Sequence, residues 1–193
     1  MSYISLSGNI AGGKSTVLSQ LEEIGYTTVS EDLGAEFISL LGDYNEDPLN
    51  AIHLQNYINE YRSIDAEVSC NADELYIHER SMIDDMIFTS LMVINGEIEE
   101  KAGQDFLDAA YEKLLLHPPE KVIYLYSDPE STYSRMISRG RSEESEQSLL
   151  DIAELEQAHT EVLPVICGDL GIELVEVDWS NFGHIDDILT HIS

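Results

Sequence analysis

The sequence predicts an α/β fold: a single domain over residues 1–193, with a five-stranded parallel sheet flanked by helices on both faces. Three observations lead there. The apolar run Tyr3-Ile4-Ser5-Leu6-Ser7 is followed at once by a glycine-rich turn and an amphipathic segment, Val17–Ile24. The run Lys121-Val122-Ile123-Tyr124-Leu125-Tyr126 is the continuous, β-branched stretch expected of a parallel strand buried on both faces. Elsewhere, short strand-like runs alternate with helical periodicity, without internal repeats or linker-like tracts.

Taken in order, Tyr26-Thr27-Thr28-Val29 reads as the second strand, ending at Ser30-Glu31-Asp32, and Leu33–Leu41 as a helix. The stretch Gly42-Asp43-Tyr44-Asn45-Glu46-Asp47-Pro48 has the composition of a turn or loop. Apolar residues recur at helical spacing from Leu49 to Val68. Glu74-Leu75-Tyr76-Ile77-His78 is the third strand, and Glu79-Arg80-Ser81 leads from it into a helix over Met82–Ile94. Glu97–Leu116 is helical and stops before Pro118-Pro119. After the strand at 121–126, Ser127-Asp128-Pro129 caps a helix that ends near Gly140. Glu143–Leu163 is a further helix, Glu173–Val177 the last strand and Ile185–His191 the closing helix.

Composition narrows the function. Nine Lys and Arg face 38 Asp and Glu, a formal charge of −29. Such a surface repels nucleic acid and anionic lipid, so neither is expected as a partner. With no long apolar run and no basic segment before an apolar one, the expectation is a cytoplasmic protein. Cys70, Cys167 and the six histidines lack metal-ligand spacing and read as core or surface residues.

The chemistry concentrates at Gly8-Asn9-Ile10-Ala11-Gly12-Gly13-Lys14-Ser15-Thr16, a G-x-x-x-x-G-K-S loop between a strand and a helix. Its glycines let backbone N–H groups cradle phosphates, and the helix adds its positive end. Lys14 can reach the β- and γ-phosphates, and the Ser15 hydroxyl can ligate Mg²⁺. Arg135 and Arg139 share one helix face, with Arg141 just beyond Gly140, which suits a lid over a triphosphate. Glu79 and Arg80 end one strand: Arg80 can hold phosphate and Glu79 can hold Mg²⁺ through water. Glu31 ends another, where it can accept a proton from an attacking hydroxyl. Five of the nine cations, Lys14, Arg80, Arg135, Arg139 and Arg141, thus fall at phosphate-handling positions. The plainer readings are a helix face salt-bridged to neighbouring acids and a solvated or capping Glu31.

In these motifs the chain resembles the deoxyribonucleoside kinases, the family of deoxycytidine, deoxyguanosine, deoxyadenosine and mitochondrial thymidine kinases. The resemblance runs from about Tyr3 to Phe182 and is strongest at the phosphate loop, at Glu79-Arg80-Ser81, and at Arg135…Arg139-Gly140-Arg141-Ser142-Glu143-Glu144. It implies a P-loop kinase fold with an arginine-rich lid, ATP or another triphosphate as donor, Mg²⁺, and a homodimer. It also implies transfer to the 5′-hydroxyl of a deoxynucleoside, a step of nucleotide salvage. By position, Glu31 resembles the general base and Arg80 the arginine on the 5′-oxygen and the transferred group. Gln55 resembles the glutamine that pairs with the base edge, and Phe88 the ring stacked on the base. Tyr44 and Glu144 resemble the residues that share the sugar 3′-hydroxyl. Arg62 and Asp85 match the Arg–Asp pair of members preferring deoxycytidine or purine deoxynucleosides, which suits an exocyclic amino group and crowds a thymine methyl; a plain helix–helix salt bridge is the alternative. Arg62 is then the sixth cation of the site. The chain departs from the family pattern in having Asp32-Leu33 after Glu31, Leu54 in place of an aromatic residue, and a shorter loop at Asp178–Phe182.

Two rival readings remain. A nucleoside monophosphate kinase shares the loop and lid but needs cations for the acceptor phosphate, which Glu31 would repel. A non-catalytic nucleotide sensor needs only the loop and leaves Glu31, Glu79, Arg80 and the lid arginines unexplained.

Overall fold

The computed structural model describes residues 3–31, 34–47, 50–141 and 147–192. The chain runs β1 (Tyr3–Ser7), α1 (Lys14–Glu23), β2 (Thr27–Val29), α2 (Gly34–Glu46), α3 (Ala51–Cys70), β3 (Tyr76–Glu79), α4 (Met82–Ile94), α5 (Glu100–Leu116), β4 (Lys121–Tyr126), α6 (Pro129–Arg139), α7 (Leu149–Leu170), β5 (Glu173–Asp178) and α8 (Ile185–Ile192). The five strands form one parallel sheet in the order β2-β3-β1-β4-β5.

Strand alternation divides the core in two. Tyr3, Val122 and Tyr124 point to one face, where they pack with α4 and α7 residues such as Ile83, Ile87 and Leu163. Ile4, Leu6, Ile123 and Leu125 point to the other, against Val17, Leu18 and Leu21 of α1 and Ile188 of α8. A central strand covered on both faces has to be apolar throughout, which is why Lys121–Tyr126 reads as a continuous run.

Register brings the chemistry together. Leu6 lies opposite Glu79, and Val29 opposite His78. The ends of β1, β3 and β2 therefore stand side by side, delivering the phosphate loop, Glu79-Arg80 and Glu31 to one edge. Ligands of open parallel sheets bind at such carboxyl ends.

Several boundaries differ from the sequence reading. Helix α2 continues through Gly42 to Glu46, where composition suggested a loop. Phe37, Leu40, Leu41 and Tyr44 pack there on Leu54 and Ile58 of α3, and that packing overrides the turn residues. Strand β3 is shifted to Tyr76–Glu79, pairing with β1. Helix α5 begins at Glu100, leaving Glu97 in the connection. Helix α7 starts at Leu149, where Ser148 and Asp151 form a capping box, and runs through Pro164 to Leu170. Among the described residues no helix is long and apolar enough to cross a membrane.

Ile123 is fully buried between Leu6 and Val175 in the middle of the sheet. Ile123→Ala is expected to destabilise the fold by about 2–5 kcal/mol in denaturant titration, through lost burial and a residual cavity; a loss under about 1 kcal/mol would contradict this packing.

Candidate active site

The phosphate loop takes a shape that needs its glycines. At Gly8, φ is 142° and an added Cβ would lie 2.7 Å from the Leu125 carbonyl oxygen. At Gly13, φ is 91° and a Cβ would meet the Phe182 ring at 2.8 Å. Helix α1 starts at Lys14, three residues earlier than its apolar periodicity suggested, and Gly13 offers no side-chain cap. Its first N–H groups thus face the loop, in the manner of an anion site.

Ile10 to Thr16 line the cavity, whereas Gly8 and Asn9 are not part of its lining. The Asn9 side chain turns inward: its amide donates to the Ile152 carbonyl at 2.8 Å and to Glu156 at 2.9 Å. Glu156 also accepts from the Tyr124 hydroxyl at 2.5 Å and from the Ser127 backbone N–H at 3.1 Å. This buried network, invisible to motif reading, ties the loop to α7 and β4. Lys14 donates to the Gly8 and Asn9 carbonyls at 3.0 and 2.7 Å. Burial, helped by the nearby Arg80 charge, lowers its pKa to about 7. The Ser15 hydroxyl donates to the Glu79 carboxylate at 2.9 Å, so the two oxygens assigned to a metal are neighbours.

Glu31 sits between two arginines. One carboxylate oxygen accepts from Arg80 Nη1 at 2.6 Å, and the other accepts from Arg62 Nη2. Burial pushes its pKa upward, but Arg80, Arg62 and Lys14 outweigh that and hold it below the usual carboxylate range. Arg62 is a hub: its Nε donates to Asp85 at 2.7 Å and its Nη1 to the Glu79 carbonyl at 2.9 Å. Asn59 donates to the other Asp85 oxygen at 3.2 Å. Gln55, Asn59 and Arg62 are spaced by four and three along α3, a polar stripe on a helix face that could have flagged Asn59. Arg80 has φ 68°, unusual for a side chain with a Cβ, and its guanidinium stands 5.0 Å from the centre of the Phe88 ring. That left-handed turn between β3 and α4 stores roughly 1–3 kcal/mol of strain and aims the arginine at Glu31.

The adjoining pocket is largely apolar, with Phe37, Leu54, Phe88, Leu91 and Met92 in its wall. Gln55 is buried there, and its amide has only long contacts, 3.5 Å to Met92 Sδ and 3.5 Å from Thr89 Oγ1. Its hydrogen-bonding capacity remains largely available to a ligand. The Tyr44 hydroxyl donates to Glu97 at 2.7 Å. Sequence reading missed Glu97. Glu144 lies outside the described residues.

On the lid side, Arg135 is engaged with the loop after β5. It donates to Ser127 Oγ at 3.1 Å and to the Trp179 carbonyl at 3.0 Å, also contacts the Ser180 carbonyl, and stacks 3.9 Å over the Phe182 ring. In this arrangement it anchors that loop beside Gly13. Arg139 and Arg141 line the cavity.

All six cations singled out in the sequence, Lys14, Arg62, Arg80, Arg135, Arg139 and Arg141, line one cavity of about 1320 Å³. The other three are paired elsewhere: Lys101 with Asp105, Lys113 with Glu60, and Lys121 with Glu173. Cations are thus concentrated where an anion would bind.

The deoxynucleoside kinase family profile matches residues 4–191. A deoxyguanosine kinase of Dictyostelium discoideum is 25% identical over 197 residues, covering 98% of this chain and 68% of the relative. A putative deoxynucleoside kinase of Frog virus 3 is 32% identical over 146 residues, covering 72% of this chain and 71% of the relative. A probable deoxycytidine kinase of Fowlpox virus is 29% identical over 151 residues, with 74% and 63% covered. The solved structure of a deoxyadenosine kinase from M. mycoides, with dCMP and a flexible dCDP bound, superposes with a TM-score of 0.83 at 22% identity over 98% of both chains. The phosphate loop, the strand-end Glu–Arg constellation, and the match over nearly the whole length agree: the chain belongs to the deoxynucleoside kinase family and is a kinase.

Proposed function

We propose that this kinase transfers the γ-phosphoryl group of ATP, or of another nucleoside triphosphate, to the 5′-hydroxyl of deoxyadenosine, deoxyguanosine or deoxycytidine. The observation that carries the reading is the charge balance at the acceptor end of the cavity. Arg62 and Arg80 are matched there by Glu31 and Asp85. Little positive charge is left over for an acceptor phosphate, so the geometry favours a neutral hydroxyl over a nucleoside monophosphate.

In the proposed reaction Glu31 takes the proton of the 5′-hydroxyl while its oxygen bonds to the γ-phosphorus. The bond from that phosphorus to the β-bridging oxygen breaks, leaving the nucleoside diphosphate and the new 5′-monophosphate. Arg80, already beside Glu31, holds the transferred group. Lys14 and the lid arginines offset charge on the donor phosphates. Ser15 and Glu79 supply hard oxygen donors that fit Mg²⁺, which keeps most of its shell for water and phosphate; when bound, it would neutralise the β- and γ-oxygens. Asp85, held by Arg62 and Asn59, faces the pocket as the acceptor for an exocyclic amino group of the base.

Incubation with ATP and Mg²⁺ against deoxynucleosides, ribonucleosides and their monophosphates tests the reading. Monophosphate formation from a deoxynucleoside is expected, and turnover confined to monophosphate acceptors would reject it. Glu31→Gln is expected to keep nucleotide binding and lose about 10²–10⁴-fold in kcat. Lys14 gives a second test. With its pKa at about 7 it is mostly neutral at pH 8, and a bound triphosphate favours the charged form. ATP binding at pH 8 should therefore be accompanied by proton uptake. Calorimetry in buffers of different ionisation enthalpy measures this; a binding heat independent of buffer, or uptake unchanged in Lys14→Met, would contradict it.

A further inference from the structure

Glu97 occupies a position that its local sequence builds with care. Asn95 caps α4 and Gly96 follows at φ 77°. The Gly96 N–H donates to the Val93 carbonyl at 3.1 Å and the Glu97 N–H to the Met92 carbonyl at 2.8 Å. This pair of bonds is a Schellman motif, in which the residue after the glycine packs back on the helix and is commonly apolar. Here it is a carboxylate. It stands at the negative end of α4, the unfavourable end for an anion. Among the described residues it pairs with no Lys or Arg, and its partner is the Tyr44 hydroxyl, which donates to it at 2.7 Å. Both residues line the cavity beside the apolar side chains of Leu54 and Met92.

The chemistry of the pair is one-sided. With its proton committed to Glu97, the Tyr44 oxygen presents lone pairs, and the second Glu97 oxygen presents more. Such a site accepts hydrogen bonds, repels phosphate, and rewards an uncharged donor on the ligand. We infer that Glu97 is a substrate-recognition residue which, with Tyr44, accepts a hydrogen bond from an uncharged donor group of the nucleoside. This rests on the nucleoside-kinase reading above. Apart from the 5′-hydroxyl, which the reading above gives to Glu31, deoxycytidine has two groups with that chemistry, the sugar 3′-hydroxyl and the exocyclic amino group of the base.

The test compares kcat/KM of the wild type, Glu97→Gln, Glu97→Ala and Tyr44→Phe on three acceptors. These are deoxycytidine, its 2′,3′-dideoxy analogue and deoxyuridine, with thermal melting as a check on folding. Glu97→Ala should lose about 10–100-fold on deoxycytidine. The loss should shrink to within about threefold on whichever analogue lacks the recognised donor, the dideoxy sugar identifying the hydroxyl and deoxyuridine the amino group. Tyr44→Phe combined with Glu97→Ala should be less than additive. Glu97→Gln keeps the shape of the side chain, so the inference stands or falls on that variant should Glu97→Ala melt. Equal losses on all three acceptors, or no loss on deoxycytidine, would overturn the role of Glu97. Absence of wild-type turnover on every nucleoside would instead reject the function reading itself, and this inference with it.

Discussion

The site depends on one carboxylate held between two guanidinium groups. Burying Glu31 alone would cost several kcal/mol or leave it protonated. Arg62 and Arg80 prevent that, and each must be placed by a different part of the fold. Arg62 reaches Glu31 from α3 because α3 packs on α4, whose Asp85 accepts its Nε–H, while the Glu79 carbonyl at the end of β3 accepts from Nη1. Arg80 reaches it because the backbone turns left-handed straight after β3. The parallel register then sets Glu31 level with that turn. Removing either arginine would leave a partly buried acid half-paired, so position, ionisation and pocket charge are one property.

The same arrangement gathers the few cations of a chain of net charge −29 at one place. Six of its 38 acids also line the cleft, but every arginine does, together with Lys14. A low-dielectric cleft focuses that local field, so the site can attract an anion against the overall charge. At the acceptor end the field is cancelled by Glu31 and Asp85.

What could be read from the sequence was what depends on short spacing. The phosphate loop, Glu79-Arg80 and the lid arginines are local motifs, and the strands before them are short apolar runs. The Arg62–Asp85 pair came from resemblance, and contact between the two residues is present. The bond from Arg62 to Glu31 was not legible, because it depends on how α3 crosses the end of β2. Glu97 was hidden for a related reason: it was read as the start of α5, whereas the Asn95-Gly96 turn detaches it and points it at Tyr44. The Gly, Asp and Asn neighbours of Tyr44 have the composition of a loop, and apolar packing against α3 makes the segment helical. Asn9 was counted with the phosphate contacts, yet its side chain bonds to α7, a partner far away in sequence.

We propose that Arg62 and Arg80 keep Glu31 ionised as the base. The acid limb of the kcat–pH profile tests this in the wild type and in Arg62→Met combined with Asp85→Asn, which takes one arginine from Glu31 without leaving Asp85 as an unpaired buried charge. A base with a depressed pKa stays active as pH falls until that pKa is crossed, so the wild-type limb should lie below the usual glutamate range. With one arginine gone it should move to higher pH. Identical acid limbs in the two proteins, or a wild-type limb above the usual glutamate range, would contradict the account.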